Sequence, residues 1–206
     1  MSDVFGRDLI QARLAALRLT PEDYRGEHEL NPDFAPDIAE RVVREASVLV
    51  PLVERPEGLS VLLTRRSDQL QSHAGQVSFP GGRREDTDAD AIATALRETE
   101  EEVGITSRYI DVAGRLRDYL TGTGYRITPV VGFVTPGFVL RPDPFEVAEI
   151  FEVPFAFLMD PRNHSLERVH WRGAMREYYA MPYNGHYIWG ATAGMLRNFY
   201  ETLRGE

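Results

Sequence analysis

Apolar residues along the chain change their spacing twice. Near the start, Leu9, Leu14, Ala15 and Leu17 recur at helical spacing, and Phe34, Ile38 and Val42 do so again behind a proline-flanked stretch at 31–36. Residues 1–45 therefore read as a helical extension. From residue 46 the pattern becomes that of strands. Residues 47–53 and 60–64 are short apolar runs rich in Val and Leu, joined by a turn at Pro56 and Gly58. Val77 to Phe79 is a brief extended piece that Pro80, Gly81 and Gly82 stop as a glycine-rich turn. Residues 88–103 predict a helix with Ile92, Leu96, Thr99 and Val103 on its buried face, Asp88 as N-cap and Gly104 just past its end. Further strands are expected over 110–119 and 127–134 about a Gly122/Gly124 turn, over 150–155, and over 169–171 paired with 175–182. Met195, Leu196, Phe199 and Leu203 mark a closing helix over 191–203. Helices and strands intermix, which predicts an α/β sandwich over residues 46–206 behind the extension.

Composition narrows the function. Apolar residues make up 43% of the 206, enough for a core, and the longest apolar run is far short of the roughly 20 residues of a membrane span. There is no cysteine, which excludes disulfides, thiolate metal sites and a cysteine nucleophile. That absence, with acids and no apolar stretch at the N-terminus, leads us to expect a cytoplasmic protein. The net charge is −9, so nucleic acid and anionic membranes are poor partners, and an anionic ligand needs local cations or a metal.

The helix at 88–103 carries a charge pattern that works against its own stability. Its last turn and a half holds Glu98, Glu100, Glu101 and Glu102. Acids at a helix C-terminus cost about 0.3–1 kcal/mol each, and like charges four apart add about 0.2–0.5 kcal/mol per pair. Glu98, Glu101 and Glu102, at i, i+3 and i+4, fall within about 100° of one another, roughly opposite the apolar face. Three such carboxylates suit a hard divalent cation, and a solvated acidic face is the alternative. Upstream, Gly81 and Gly82 would let backbone amides approach a phosphate, and Arg83 and Arg84 could pair with it.

Gly82, an acidic loop, then Arg97-Glu98-x-x-Glu101-Glu102-x-Gly104-Ile105 resembles the Nudix box of the Nudix hydrolases. The stretch from Gly82 to Arg97 is one residue longer than the generic box. Asp86 or Asp88 replaces its early glutamate, and Thr99 fills an aliphatic position. Leu62 to Ser67, then Gly75 and Phe79 to Gly82, resemble the coenzyme A pyrophosphatase branch, with Gln71 where that signature has arginine. Gly124 to Val131 and Ile188 to Ala193 resemble the same branch.

The resemblance implies a Nudix-type α/β/α sandwich with a mixed sheet and hydrolysis of a nucleoside diphosphate derivative. For coenzyme A the products would be 3′,5′-ADP and 4′-phosphopantetheine. It implies Mg²⁺ or Mn²⁺ on Glu98, Glu101 and Glu102, with Arg97 orienting those carboxylates. A general base would come from the helix or from a later loop, where Glu146 is favoured over Glu149. Arg66 and Arg83, with Gly81, Gly82 and Tyr125, are the expected substrate contacts, and Arg65 and Arg84 add local positive charge. His73 is expected to be a loop hydrogen-bonder; Tyr125, Trp171 and Trp189 could stack adenine or line the pantetheine path, with core packing the alternative weighed for each. The partner is then a small nucleotide-type molecule, and a homodimer is one assembly the resemblance allows. The alternatives are a Nudix pyrophosphatase for ADP-ribose, NADH or dinucleoside polyphosphates, and a non-catalytic nucleotide-sensing Nudix domain.

Overall fold

The computed structural model of the chain describes residues 5–20, 22–32, 43–70, 72–171 and 173–205. The two strongest strand patterns become β2 (Arg44–Arg55) and β3 (Gly58–Arg66), an antiparallel hairpin. Along its other edge β2 runs parallel to β8 (Tyr125–Val134), from Arg44 opposite Tyr125 to Val53 opposite Val134. Side chains alternate between the two faces of this central trio. Val48, Val50, Leu52, Val61, Leu63, Val131 and Phe133 join one core layer, and Leu49, Val53, Leu62, Val130 and Val134 face the other way. Both faces are buried, which is why these strands read as continuous apolar runs.

Helix α2 (Ala91–Val103) covers the second face through Ala95 and Val103. Met195, Leu196, Phe199 and Leu203 of α4 (Gly190–Arg204) cover the first. The result is the expected α/β/α sandwich. Shorter strands complete a nine-stranded mixed sheet. β4 (Val77–Ser78) and β9 (Val147–Pro154) pair with β3, β5 (Gly81–Arg83) pairs with Ala46 to Val48 of β2, and β6 (Ile110–Arg115) and β7 (Asp118–Leu120) line β8. A single helical turn, α3 (Phe155–Leu158), leads to a separate three-stranded sheet of β10 (Ser165–Trp171), β11 (Ala174–Tyr183) and β12 (His186–Trp189). No helix among the described residues is long and apolar enough to cross a membrane.

Several expectations need correction. Helix α1 (Arg7–Ala15) forms, but it buries Ile10 and Leu14 while Leu9 and Ala15 face outward. The N-terminal region is not helical throughout, because β1 (Tyr24–Gly26) joins the main sheet parallel to β7. Asn31 then fixes that segment to β11: its amide donates to Glu177 O and accepts from Glu177 N, both at 2.9 Å. The helical spacing of Phe34, Ile38 and Val42 lies outside the described residues. The strand expected over 110–119 breaks in two beside Pro129 of β8, which has no N–H for the ladder. Gly81 and Gly82 are not a turn: they are strand β5, and their narrow profile lets it lie close against β2 and α2.

Candidate active site

The chemistry-bearing residues collect where α2, β5, the end of β3 and the start of β9 meet. Asp90, not Asp88, caps α2, accepting from Ala93 N at 2.8 Å. Asp88 is buried and has a different task. Its two carboxylate oxygens receive Nε and Nη2 of Arg97, each at 2.9 Å, and one also accepts from Glu85 N and the Thr94 hydroxyl. Hydrogen bonding to Arg97 holds the Asp88 carboxyl far below the ordinary range and raises the guanidinium still further.

Arg97 is thereby locked, and its remaining donors reach the rest of the site. Nη1 donates to Glu98 at 3.0 Å and to Glu101 at 2.9 Å, and Nη2 to the Arg83 carbonyl at 3.1 Å. The extended box thus keeps an acid for its arginine. Asp88 is the sixth residue after Gly82, where the generic box has glutamate. Counting forward from Gly82, rather than back from Arg97, would have singled it out.

The three glutamates are not one exposed patch. Glu101 faces solvent, Glu98 is half-buried, and Glu102 is only 4% exposed, wedged under the sheet edge. Glu102 accepts from Gly81 N at 3.1 Å, and Nη1 of Arg66 lies 3.8 Å from its other oxygen. Burial, aided by the negative charges of Glu146 and Glu98, pushes its carboxyl up to about 8. Burial also raises Glu98, against the pull of Arg97 and with the charges of Glu101 and Glu146. A β-carbon on Gly82 would come within 2.5 Å of the Glu98 carboxylate, so a larger residue there would push that carboxylate out of its place.

Glu146 faces the same centre, since its charge acts on both Glu98 and Glu102. Glu149 points elsewhere, 3.5 Å from Nε of Arg65 and 3.7 Å from Nε2 of His186. Among the expected cations, Arg66 is inside the site, and its Nε is buried without a hydrogen-bond partner among the described residues. Arg83 is exposed at the rim, and Arg84 is taken by Glu45 at 2.8 Å. Tyr125 lies across β2, half-buried under the guanidinium of Arg44 at 4.7 Å. Nδ1 of His73 bonds Oε1 of Gln76 at 2.8 Å. Gln71 lies outside the described residues. The alternative of core packing needs correction for Trp171, which is exposed beneath Arg176, while Trp189 is half-buried against Tyr178.

The donor set is carboxylate oxygen, the kind a hard divalent cation takes. Burial raises both Glu98 and Glu102 even though Arg97 and Arg66 pull them down. Among the described residues no three acids or histidines are gathered tightly enough to hold an ion: Nη1 of Arg97 bridges Glu98 and Glu101, while Glu102 is held at Gly81 N. Chemistry and charge fit a cation, and an inward turn of Glu101 would complete the set.

Residues 43–172 match the NUDIX domain family. The chain is 45% identical over 155 residues to a protein of Escherichia coli strain K12 named Uncharacterized Nudix hydrolase NudL, covering 75% of this chain and 80% of that one. It is 42% identical over 161 residues to the protein of that name from Photorhabdus laumondii, covering 78% and 86%. Among solved structures, a Nudix hydrolase from M. smegmatis, RenU, superposes with a TM-score of 0.54 at 18% identity, covering 79% of this chain and 86% of that one, a likeness of fold alone.

Proposed function

The chain belongs to the Nudix family, hydrolases of pyrophosphate bonds, and from that premise we propose that it cleaves coenzyme A or a derivative of it into 3′,5′-ADP and 4′-phosphopantetheine. What carries the reading is a cluster of buried acids beside a cation with a donor to spare. The charges of Glu98 and Glu146 act on buried Glu102, and Arg66, 3.8 Å from it, keeps a buried Nε that no described residue accepts. The branch assignment rests on the residues around them. Two separate stretches of the signature meet in space: the Thr192 hydroxyl of the Ile188 to Ala193 stretch donates to the Val77 carbonyl at 3.0 Å, four residues before Gly81.

Nudix hydrolases generally need divalent ions, usually Mg²⁺ or Mn²⁺. Glu98, Glu101 and Glu102 would hold them here. Such an ion supplies charge neutralisation at the pyrophosphate oxygens and a lower pKa for bound water. Glu146 accepts a proton from the attacking water on a carboxylate oxygen. Arg66 and Arg83 offset phosphate charge that the −9 background would otherwise repel. Arg97 touches no substrate in this scheme; pinned by Asp88, it orients Glu98 and Glu101.

The test is product analysis with coenzyme A, 3′-dephospho-coenzyme A, ADP-ribose and NADH in Mg²⁺ or Mn²⁺. We expect coenzyme A to be cleaved best. Loss of the 3′-phosphate should lower kcat/KM at least tenfold, about 1.4 kcal/mol of transition-state binding, because a site built for that charge is left unpaired. Equal turnover of 3′-dephospho-coenzyme A and ADP-ribose would leave the hydrolase and remove the branch.

A further inference from the structure

Asp143 stands three residues before Glu146 in the loop that leads into β9. It lies between Pro142 and Pro144, whose rings fix the backbone on either side of it. Its amide donates to the Glu102 carbonyl at 3.0 Å, and the amide of Arg141 donates to Val103 O at 2.9 Å. The loop thus satisfies carbonyls that the end of α2 would leave bare. The carbonyl of Asp143 accepts from Glu146 N at 3.1 Å and Val147 N at 2.8 Å. Its side chain closes the turn, Oδ1 accepting from Phe145 N at 2.8 Å. Beyond it, the Glu146 carbonyl accepts from Ser67 N at 2.8 Å, and Ser67 follows Arg66, whose guanidinium faces Glu102. These contacts form a closed circuit from the Glu102 backbone through Asp143, Glu146, Ser67 and Arg66 back to the Glu102 carboxylate.

We infer that Asp143 is a positioning residue: its side-chain turn sets the direction in which Glu146 faces Glu98 and Glu102. The inference rests on the reading of Glu146 as the base, and it goes beyond that reading in saying what aims the base. A carboxylate only about 1 Å out of place forfeits much of its effect. The Asp143 carboxylate does this through one acceptor oxygen, so its charge is dispensable and its geometry is not.

The test is a double-mutant cycle in steady-state kinetics, on coenzyme A or ADP-ribose, whichever the parent cleaves faster. Asp143→Ala should lower kcat about tenfold or more with KM within twofold and little change in melting temperature. Asp143→Asn, which keeps the acceptor oxygen, should restore kcat to within about threefold of the parent. In a Glu146→Gln background Asp143→Ala should cost nothing further, because its only route to the chemistry is already gone. Parental kcat in Asp143→Ala beside an impaired Glu146→Gln overturns the inference, as does an equal loss from Asp143→Ala in both backgrounds. Parental activity in Glu146→Gln overturns the base assignment itself, and the inference with it.

Discussion

Helices α2 and α4 lie on opposite faces of one sheet and are built alike. They are 13 and 15 residues long, equally amphipathic, and each ends at a glycine with φ of 78°. Their charges differ. α4 buries no charged side chain, ends with Arg204 in its last turn, and matches Glu201 with Arg197 at 2.7 Å and Arg25 at 2.8 Å. This follows the helix dipole and local pairing. α2 has no base in its last turn, crowds four acids into its last turn and a half, and buries Glu102. Its carbonyls are met by a loop that carries another acid toward it. Apolar period alone says where each helix lies. Where charge runs against the dipole and into the interior, the helix is shaped for a ligand rather than for its own stability.

The comparison breaks most visibly if glutamates on the two helices prove interchangeable. Glu98→Gln and Glu102→Gln should each lower kcat about 10³-fold, roughly 4 kcal/mol, since each removes a negatively charged oxygen donor without changing shape. Glu101→Gln should also be impaired, provided its exposed carboxylate turns inward. Glu201→Gln on α4 should stay within about twofold of the parent. Steady-state hydrolysis of coenzyme A in Mg²⁺ or Mn²⁺ reads all four. Full activity in both Glu98→Gln and Glu102→Gln would reduce α2 to a solvated acidic face.

A smaller effect compares the arginines. Asp88→Ala removes the two charge-assisted bonds that Arg97 makes to a buried carboxylate, 8% exposed, and should cost about 3 kcal/mol of stability. Glu201→Ala breaks partly exposed pairs and should cost about 1 kcal/mol or less. The pH dependence has a definite sign. Folding lowers the Asp88 carboxyl from its ordinary 3.8, so its contribution is whole above that pH and fades as acid approaches the folded value. Denaturant melts at pH 7 and pH 3 should therefore show the Asp88→Ala deficit shrinking with acid. A deficit equal to that of Glu201→Ala at pH 7 would mean that Arg97 is no more than a surface partner.

Much of this contrast is legible in sequence. The strand patterns at 47–53, 60–64 and 127–134 are runs buried on both faces, and the sheet follows from them. The acids at α2's end stand out because they oppose the dipole. What periodicity could not convey is depth. Glu102 lies on the border between the apolar face, where Val103 packs, and the acidic one, and the approach of β5 decides that it is covered. Helical spacing alone could not separate Asp88 from Asp90 as the cap, since both precede the helix; the count from Gly82 and the contact with Arg97 assign the first elsewhere. Leu9 falls on the helical spacing yet faces outward, because the register of α1 depends on what it docks against, and β6 and α4 choose Ile10 and Leu14. Residues joined by pairing across the fold, such as Asn31 with Glu177 and Asp143 with Glu102, leave no local signal.

The smallest effect sharpens the comparison most, because it needs no substrate. If Glu102 is placed against its own stability, neutralising it should stabilise the metal-free protein. Glu102→Gln keeps an oxygen for Gly81 N and removes the charge that burial opposes. Folding raises this carboxyl from 4.5 to about 8. Below the unfolded value both states are protonated and there is no penalty. As pH rises through the window the folded protein must hold a proton or a buried charge, and the penalty is complete only above about pH 8. In chelator, Glu102→Gln should therefore melt a few degrees higher at pH 9, a shift of about 2–4 °C for each kcal/mol in a chain of this size, with the gain vanishing toward pH 4. Glu201→Gln, whose charge is matched by two arginines, should lower the melting temperature at pH 9. A Glu102→Gln gain as large at pH 4 as at pH 9 would trace the stabilisation to something other than the charge. No gain at pH 9 would show that Arg66 and Gly81 already balance Glu102 as fully as Arg25 and Arg197 balance Glu201.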